Sequence, residues 1–175
     1  MIEAYRLIDK LEREHSLSLL EYKTLIEAEN DALRLYAANK AKEQATLIYG
    51  NSVYVRGLIE VGNYCRNDCF YCGIRKSNFN CDRYILVEED ILHCCKEGYE
   101  LGFRTFVLQG GEGIYKKNFV TNVVQKIRSK YPDCAITLSL GEEDRDTYKE
   151  WFDAGANRYL LRHETASKNH YEKLH

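Results

Sequence analysis

Three cysteines fall within eight residues: Cys65, Cys69 and Cys72, in the run Cys-Arg-Asn-Asp-Cys-Phe-Tyr-Cys. Thiolates are soft ligands that select zinc, copper or iron–sulfur clusters. A cubane cluster offers separate irons a few ångströms apart. Three clustered cysteines can hold three of its irons and leave the fourth open to a chelating small molecule. Two other readings stand beside that one. Zinc takes four ligands, and Cys81, His93 or His163 could supply the fourth. The usual zinc layout of two cysteine pairs about 12–20 residues apart is absent. A four-cysteine electron-transfer cluster could use Cys81, but the spacing fits neither common ferredoxin run.

The elements that must position these cysteines follow from periodicity. Residues 1–50 read as a helical extension. Ile2, Tyr5, Ile8 and Leu11 recur at three-residue spacing, Ser16 or Ser18 can cap a second helix, and Glu21 three residues after Ser18 completes a capping-box pattern. Tyr22, Leu25, Ile26, Ala32, Leu33 and Tyr36 give that helix an apolar face, interrupted at Glu29 and ended at Gly50-Asn51. Residues 51–175 alternate. A strand is expected over Val53–Val61, a helix from Glu88, a strand over Thr105–Gln109 and a helix over residues 117–130. A third strand follows at Ala135–Leu140, then a helix capped by Asp144 or Asp146. A fourth strand spans Arg158–Arg162, and Ser167 could cap one more helix.

That order is α/β, with parallel strands and helices packed outside them. Four βα units make half of a (β/α)₈ barrel, which needs about 250 residues when complete. An open doubly wound sheet is the local rival. Either way ligands belong at the C-terminal ends of the strands. The polar stretches lie there: the cysteine run, Gln109–Glu112, Ser139–Glu142 and Arg162–Glu164.

The whole composition narrows the class. The 175 residues are 45% hydrophobic and 30% charged, with a net charge of −2, so no basic footprint for nucleic acid or anionic lipid exists. No apolar run approaches the ~18 residues of a membrane span, and the opening Met-Ile-Glu-Ala-Tyr-Arg lacks a secretory layout. The cytoplasm is the expected location. Seven cysteines, an odd number, argue against a disulfide framework.

Cys-x3-Cys-x-aromatic-Cys after a first strand, with Tyr71 as the aromatic, resembles the signature of the radical-SAM superfamily. Beyond it the chain resembles the subgroup containing biotin synthase, methylornithine synthase and the FeFe-hydrogenase maturase HydE, and the HydE family in particular. The stretches that carry this are Ile59-Glu-Val-Gly-Asn-Tyr-Cys65, Cys72-Gly-Ile-Arg75, Val107-Leu-Gln-Gly-Gly-Glu112, Thr137-Leu-Ser-Leu-Gly-Glu142 and Gly155-Ala-Asn-Arg-Tyr-Leu-Leu-Arg-His-Glu-Thr165. The resemblance implies a radical-SAM (β/α) barrel. It implies a 4Fe–4S cluster on Cys65, Cys69 and Cys72 whose open iron binds S-adenosylmethionine. A one-electron reduction then cleaves that cofactor to a 5′-deoxyadenosyl radical. It further implies a small-molecule or organometallic substrate, a reduced electron donor and a place among hydrogenase maturation proteins. A subgroup enzyme with another small substrate is the alternative, and a zinc- or cluster-binding module without turnover is the non-enzymatic one.

The resemblance places the first of the remaining candidates, and residue chemistry at the strand ends suggests the rest. Gly110, Gly111 and Glu112 would meet the methionine amino group, and Tyr71 the adenine. Glu142 could accept from the ribose hydroxyls, or simply open the next helix. Arg162 could fork onto the methionine carboxylate, or pair with Glu164. Glu164 could hold that arginine or contact the ligand. Ser139 is a pocket donor or a small core residue. Arg75 and Arg83 could neutralise an anionic cluster, whereas His163 reads as structural and Cys94, Cys95 and Cys134 as packing residues. No catalytic side chain beyond the cluster ligands is expected. Four strands fall short of the family barrel, so a second half is expected from further chain or from a partner.

Overall fold

A computed structural model describes residues 2–175; Met1, the first residue of the expected extension, lies outside the described residues. The chain divides into two compact units, one ending at Tyr54 and the other beginning at Val55.

The first unit holds three helices, α1 (Ile2–Glu14), α2 (Leu19–Glu27) and α3 (Asp31–Tyr49). Ser18 caps α2 through the Glu21 N–H while the Glu21 carboxylate accepts from the Ser18 N–H. The expected single apolar face from Tyr22 to Tyr36 is broken. Asn30 takes the Leu33 N–H at 3.0 Å and donates to the Ala28 carbonyl, so the backbone turns there and a new helix begins. In consequence α2 has no fully buried residue; Leu25 packs partly against the small core and Ile26 stays exposed. Ala4, Ile8 and Leu33 form the small core, with Tyr5 edge-on to Tyr36.

The second unit is a parallel sheet in the order β1 (Gly57–Gly62), β2 (Thr105–Gly110), β3 (Ala135–Ser139) and β4 (Arg158–Tyr159). The connecting helices are α4 (Glu88–Glu100), α5 (Lys117–Lys130) and α6 (Arg145–Asp153); α7 (Lys168–Leu174) follows β4. Alternate strand residues Ile59, Val61, Phe106, Leu108, Ile136 and Leu138 meet Ile91, Cys95, Val120, Val123, Val124, Ile127 and Trp151 in one core. Asp144 rather than Asp146 caps α6, accepting from Thr147 N–H.

Three expected strands are shorter in the structure; β3 loses only Leu140. Val53, Tyr54 and Val55 are exposed and precede β1, because β-branched residues form a strand only where a neighbour pairs with them. The fourth strand ends at Tyr159, since β3 stops at Ser139 and offers only the Leu138 carbonyl to Leu160 N–H. Within α4, Cys95 is buried but Cys94, expected to pack, is exposed, as consecutive helical positions point about 100° apart.

Candidate functional site at the C-terminal strand ends

The segment from Asn63 to Tyr84 leaves the end of β1 and returns to it. Asn63 N–H donates to Tyr84 O, Leu86 N–H donates to Val61 O, and Gly62 bridges Ile85. Asn63 closes the neck twice more, donating to Asp82 O and accepting from Tyr84 N–H. Inside the loop lies Arg83, whose guanidinium donates to the carbonyls of Asn63, Ile74, Arg75 and Asn78. It serves the backbone and is not aimed as a free counter-charge. Its four acceptors fix the turn that follows Cys72. Asp68 accepts from Ser77 N–H at 2.8 Å and draws the two limbs together.

The three cysteines hang in this loop. Cys69 is buried; Cys65 and Cys72 are half-buried. Burial pushes the Cys69 thiol above its ordinary range. Cys72 N–H donates to Cys69 O at 3.0 Å, which closes a turn between them. Glu112 N–H points at Cys65 Sγ at 3.4 Å. His175 Nδ1 lies 3.1 Å from Cys69 Sγ and 3.0 Å from the Tyr71 hydroxyl.

The loop after β2 closes onto the cysteine loop. Gly111 has no space for a side chain: a Cβ there would lie 1.9 Å from Tyr64 O and 2.8 Å from Cys65 Cβ. Beyond it, the Glu112 carboxylate spans three loops. One oxygen accepts from Arg66 at 2.7 Å, and the other accepts from Glu142 N–H at 2.9 Å. Burial alone would raise the Glu112 pKa. The Glu142 N–H and the Arg66 guanidinium outweigh it and hold the carboxyl below its usual range. Gly141, at φ +93°, is needed because a Cβ would fall 2.2 Å from Glu112 Cγ.

The other candidates surround this junction. Glu60, Gln109 and Ser139 occupy one register row across β1, β2 and β3, and Gln109 lies 3.5 Å from both Glu60 and Arg162. Ser139 is buried; Arg162 is exposed and points to Gln109 rather than to Glu164. Glu164 is exposed with a left-handed φ of +59°, uncommon for a side-chain-bearing residue. Glu142 accepts from the Tyr171 hydroxyl at 3.1 Å. Tyr71, Glu164, Thr165, Tyr171 and His175 line a cavity of about 210 Å³ beside Cys69. Tyr71 is half-exposed, and burial with the neighbouring Cys69 raises its pKa to about 12.

Sequence reasoning did not single out Glu60, Asn63, Arg66, Tyr171 or His175. Glu60 had a signal: it is the one acid in the apolar run Leu58–Val61, on the face opposite Ile59. The others are recruited by loop geometry, which spacing does not encode.

The residues present fit an iron–sulfur cluster better than a zinc ion. Among the described residues, no three His, Cys, Asp or Glu side chains converge as they would on one metal ion. A cubane needs no such convergence, because each thiolate takes its own iron. A backbone N–H on a cysteine sulfur suits an anionic cluster that hydrogen bonds tune, whereas Gly110 and Gly111 are required by the close packing of Ile114, Val61 and Tyr64. Cys81, the candidate fourth thiol, donates to Asn78 O at 3.5 Å.

Comparison with known proteins places the chain among relatives. HydE, the [FeFe] hydrogenase maturase subunit of Thermotoga maritima, is 42% identical over 71% of this chain and 36% of its own length. The 3-methylornithine synthase of Methanosarcina barkeri is 32% identical over 99% of this chain and 47% of its own. The crystal structure of HydG, a maturase of the [FeFe]-hydrogenase, superimposes with a TM-score of 0.86 at 24% identity, covering 99% of this chain and 39% of that one. That likeness shows the fold, a radical-SAM barrel of which four βα units are present here. The chain thus spans between a third and a half of these relatives. No helix among the described residues is long and apolar enough to cross a membrane. Residues 59–175 match the Radical SAM superfamily, enzymes that use a 4Fe–4S cluster and S-adenosylmethionine, and the chain belongs to it.

Proposed function

We propose that this chain carries the cluster half of a HydE-like radical-SAM site, with Cys65, Cys69 and Cys72 as ligands of the 4Fe–4S cluster. The observation that supports this most is the junction at one end of the sheet. There the cysteine loop, Gly110–Glu112 and Gly141–Glu142 meet with no room for a Cβ at Gly111. When bound, the cluster supplies the electron that cleaves S-adenosylmethionine to a 5′-deoxyadenosyl radical. The protein holds and orients. Tyr71 and the cavity beside it would receive the adenine, Gly110 and Gly111 the methionine end, and Glu142 the ribose. Arg162, Glu164 and Ser139 complete the wall, and Arg162 would turn from its long 3.5 Å contact with Gln109 to fork onto a carboxylate.

The likeness to HydE supports a role in assembling the FeFe-hydrogenase active-site cluster, in the cytoplasm, with an organometallic substrate and a reduced electron donor. A second reading, a methylornithine-synthase-like enzyme acting on a small organic substrate, is favoured by that relative's match across nearly the whole chain. Anaerobic reconstitution with iron and sulfide counts tests the site. The expected result is four irons per chain and an electron paramagnetic resonance spectrum that changes on adding S-adenosylmethionine. Cys72→Ala should abolish the cluster and Cys81→Ala should not. Stoichiometric zinc without iron, or loss of the cluster in the Cys81 variant, overturns the three-ligand reading.

A further inference from the structure

Glu112 is the site residue most occupied by other parts of this protein. Its backbone faces the cysteine loop at two points, with Glu112 N–H on Cys65 Sγ at 3.4 Å and Arg66 N–H donating to Glu112 O at 3.0 Å. Its side chain is only 12% exposed, and its carboxylate is used on both sides, by the Arg66 guanidinium and by the Glu142 peptide N–H. Arg66 also reaches the Glu142 carbonyl at 3.4 Å. Three loops from three successive strands are therefore joined through one ion pair. Arg66 follows Cys65 directly, so the pair fixes the backbone from which that thiol projects. The glycines around the pair have matching shapes. Gly113, at φ +76°, lets the Arg66 stem pass at 3.1 Å from where a Cβ would sit, and Gly141 leaves room for the Glu112 stem.

We propose that Arg66 and Glu112 are positioning residues, a latch that sets Cys65 for cluster binding, and that the Glu112 carboxylate is spent on this latch and does not contact S-adenosylmethionine. This rests on the cluster reading above and assigns a role to each member of the pair. An anionic acceptor between a guanidinium and a peptide N–H is already paired. For the carboxylate to turn to an incoming ammonium, Arg66 and the Glu142 N–H would both have to be released. The methionine amino group is then left to the glycine backbone.

The two roles predict opposite mutant patterns. A latch makes Arg66→Met and Glu112→Gln alike and non-additive, because either one opens it. A direct contact makes only Glu112→Gln matter to S-adenosylmethionine. Two measurements on the full chain separate them. The first is the alkylation rate of Cys65 relative to Cys81 in cluster-free protein, followed by peptide mass spectrometry. The second is iron loading with the S-adenosylmethionine-induced spectral change after reconstitution. The latch predicts Cys65 alkylation faster by about threefold to tenfold in each single variant, in line with one partly exposed charge-assisted pair. The double variant should be within about twofold of the singles, and iron loading should fall in parallel. Chains that do load should keep their spectral response to S-adenosylmethionine. If Glu112→Gln loads iron normally and loses that response while Arg66→Met keeps both, the proposal is wrong. Wild-type protein that takes no cluster would sink the cluster reading, and the alkylation measurement would still judge the latch. Arg66 is largely exposed, so its variant carries the test if Glu112→Gln fails to fold.

Discussion

Replacing Gly111 by alanine adds one methyl group where the structure has no space. The new Cβ would sit 1.9 Å from Tyr64 O, 2.7 Å from the Tyr64 carbonyl carbon and 2.8 Å from Cys65 Cβ. A carbon–oxygen contact is normally about 3.3 Å, so a displacement of about 1.4 Å is required. Two of the three obstacles are backbone, which cannot rotate away as a side-chain end can. Overpacking of a tight interior costs about 1–3 kcal/mol, and a backbone obstacle belongs at the top of that range. With an m-value of about 2 kcal/mol/M, a loss of about 3 kcal/mol moves the urea midpoint by about 1.5 M. The strain has one escape. The cysteine loop can lift off the end of β2, which caps the global loss at the free energy of docking that loop. Cys65 then becomes reactive and iron loading falls. Urea denaturation, Cys65 alkylation and iron counts together cover both outcomes. Gly73→Ala is the control, since a Cβ there meets nothing within 4 Å; its stability should stay within about 0.5 kcal/mol of wild type or improve slightly. If Gly111→Ala matches wild type in all three measurements, the close approach of the two loops is not a feature of the folded protein.

Other perturbations separate the parts of the molecule. Ile127→Ala, at a fully buried position in α5, should cost about 2–5 kcal/mol by urea denaturation while leaving Cys65 alkylation unchanged under native conditions. Arg83→Met removes the donors to four carbonyls, so amides between Asn63 and Tyr84 should exchange at least about tenfold faster while those of α5 do not change. Uniform protection across both regions would refute its role as the loop's internal clamp. In the first unit, Lys10 and the Ser18 cap hold the Glu21 carboxyl down at about 2. A group depressed in the folded state stabilises above its unfolded pKa and loses that contribution as pH falls. The helical unit should therefore weaken between about pH 4.5 and 2, and a carboxyl carbon NMR titration of Glu21 with a midpoint near 4.5 would contradict the capping arrangement.

How far the sequence discloses this site depends on where each part gets its geometry. The βα alternation is carried by local periodicity; the helices α4, α6 and α7 begin where first-turn acids or capping residues indicate, while α5 begins without either and is marked only by its apolar stripe. Boundaries drift where pairing decides the matter. Val53 to Val55 have strand-forming side chains but no pairing strand among the described residues, and Leu160 outruns the end of β3. Asn30 shows the same limit in a helix: one amide side chain outcompetes an apolar pattern spanning fifteen residues. The three cysteines are legible because their chemistry is in their spacing. Arg66, Asn63 and Arg83 look like ordinary surface polar residues, and their roles exist only once three strand ends are side by side. Glu112 lies between these cases. Its position after two glycines marks it as part of the site, yet the sequence alone does not say which partner its carboxylate takes. The answer comes from 30 residues downstream, where Gly141 turns the Glu142 N–H toward it, and from 46 residues upstream, where Arg66 reaches across. A motif therefore identifies which residues meet at the site. The loops contributed by the other strands determine what each of them is free to bind.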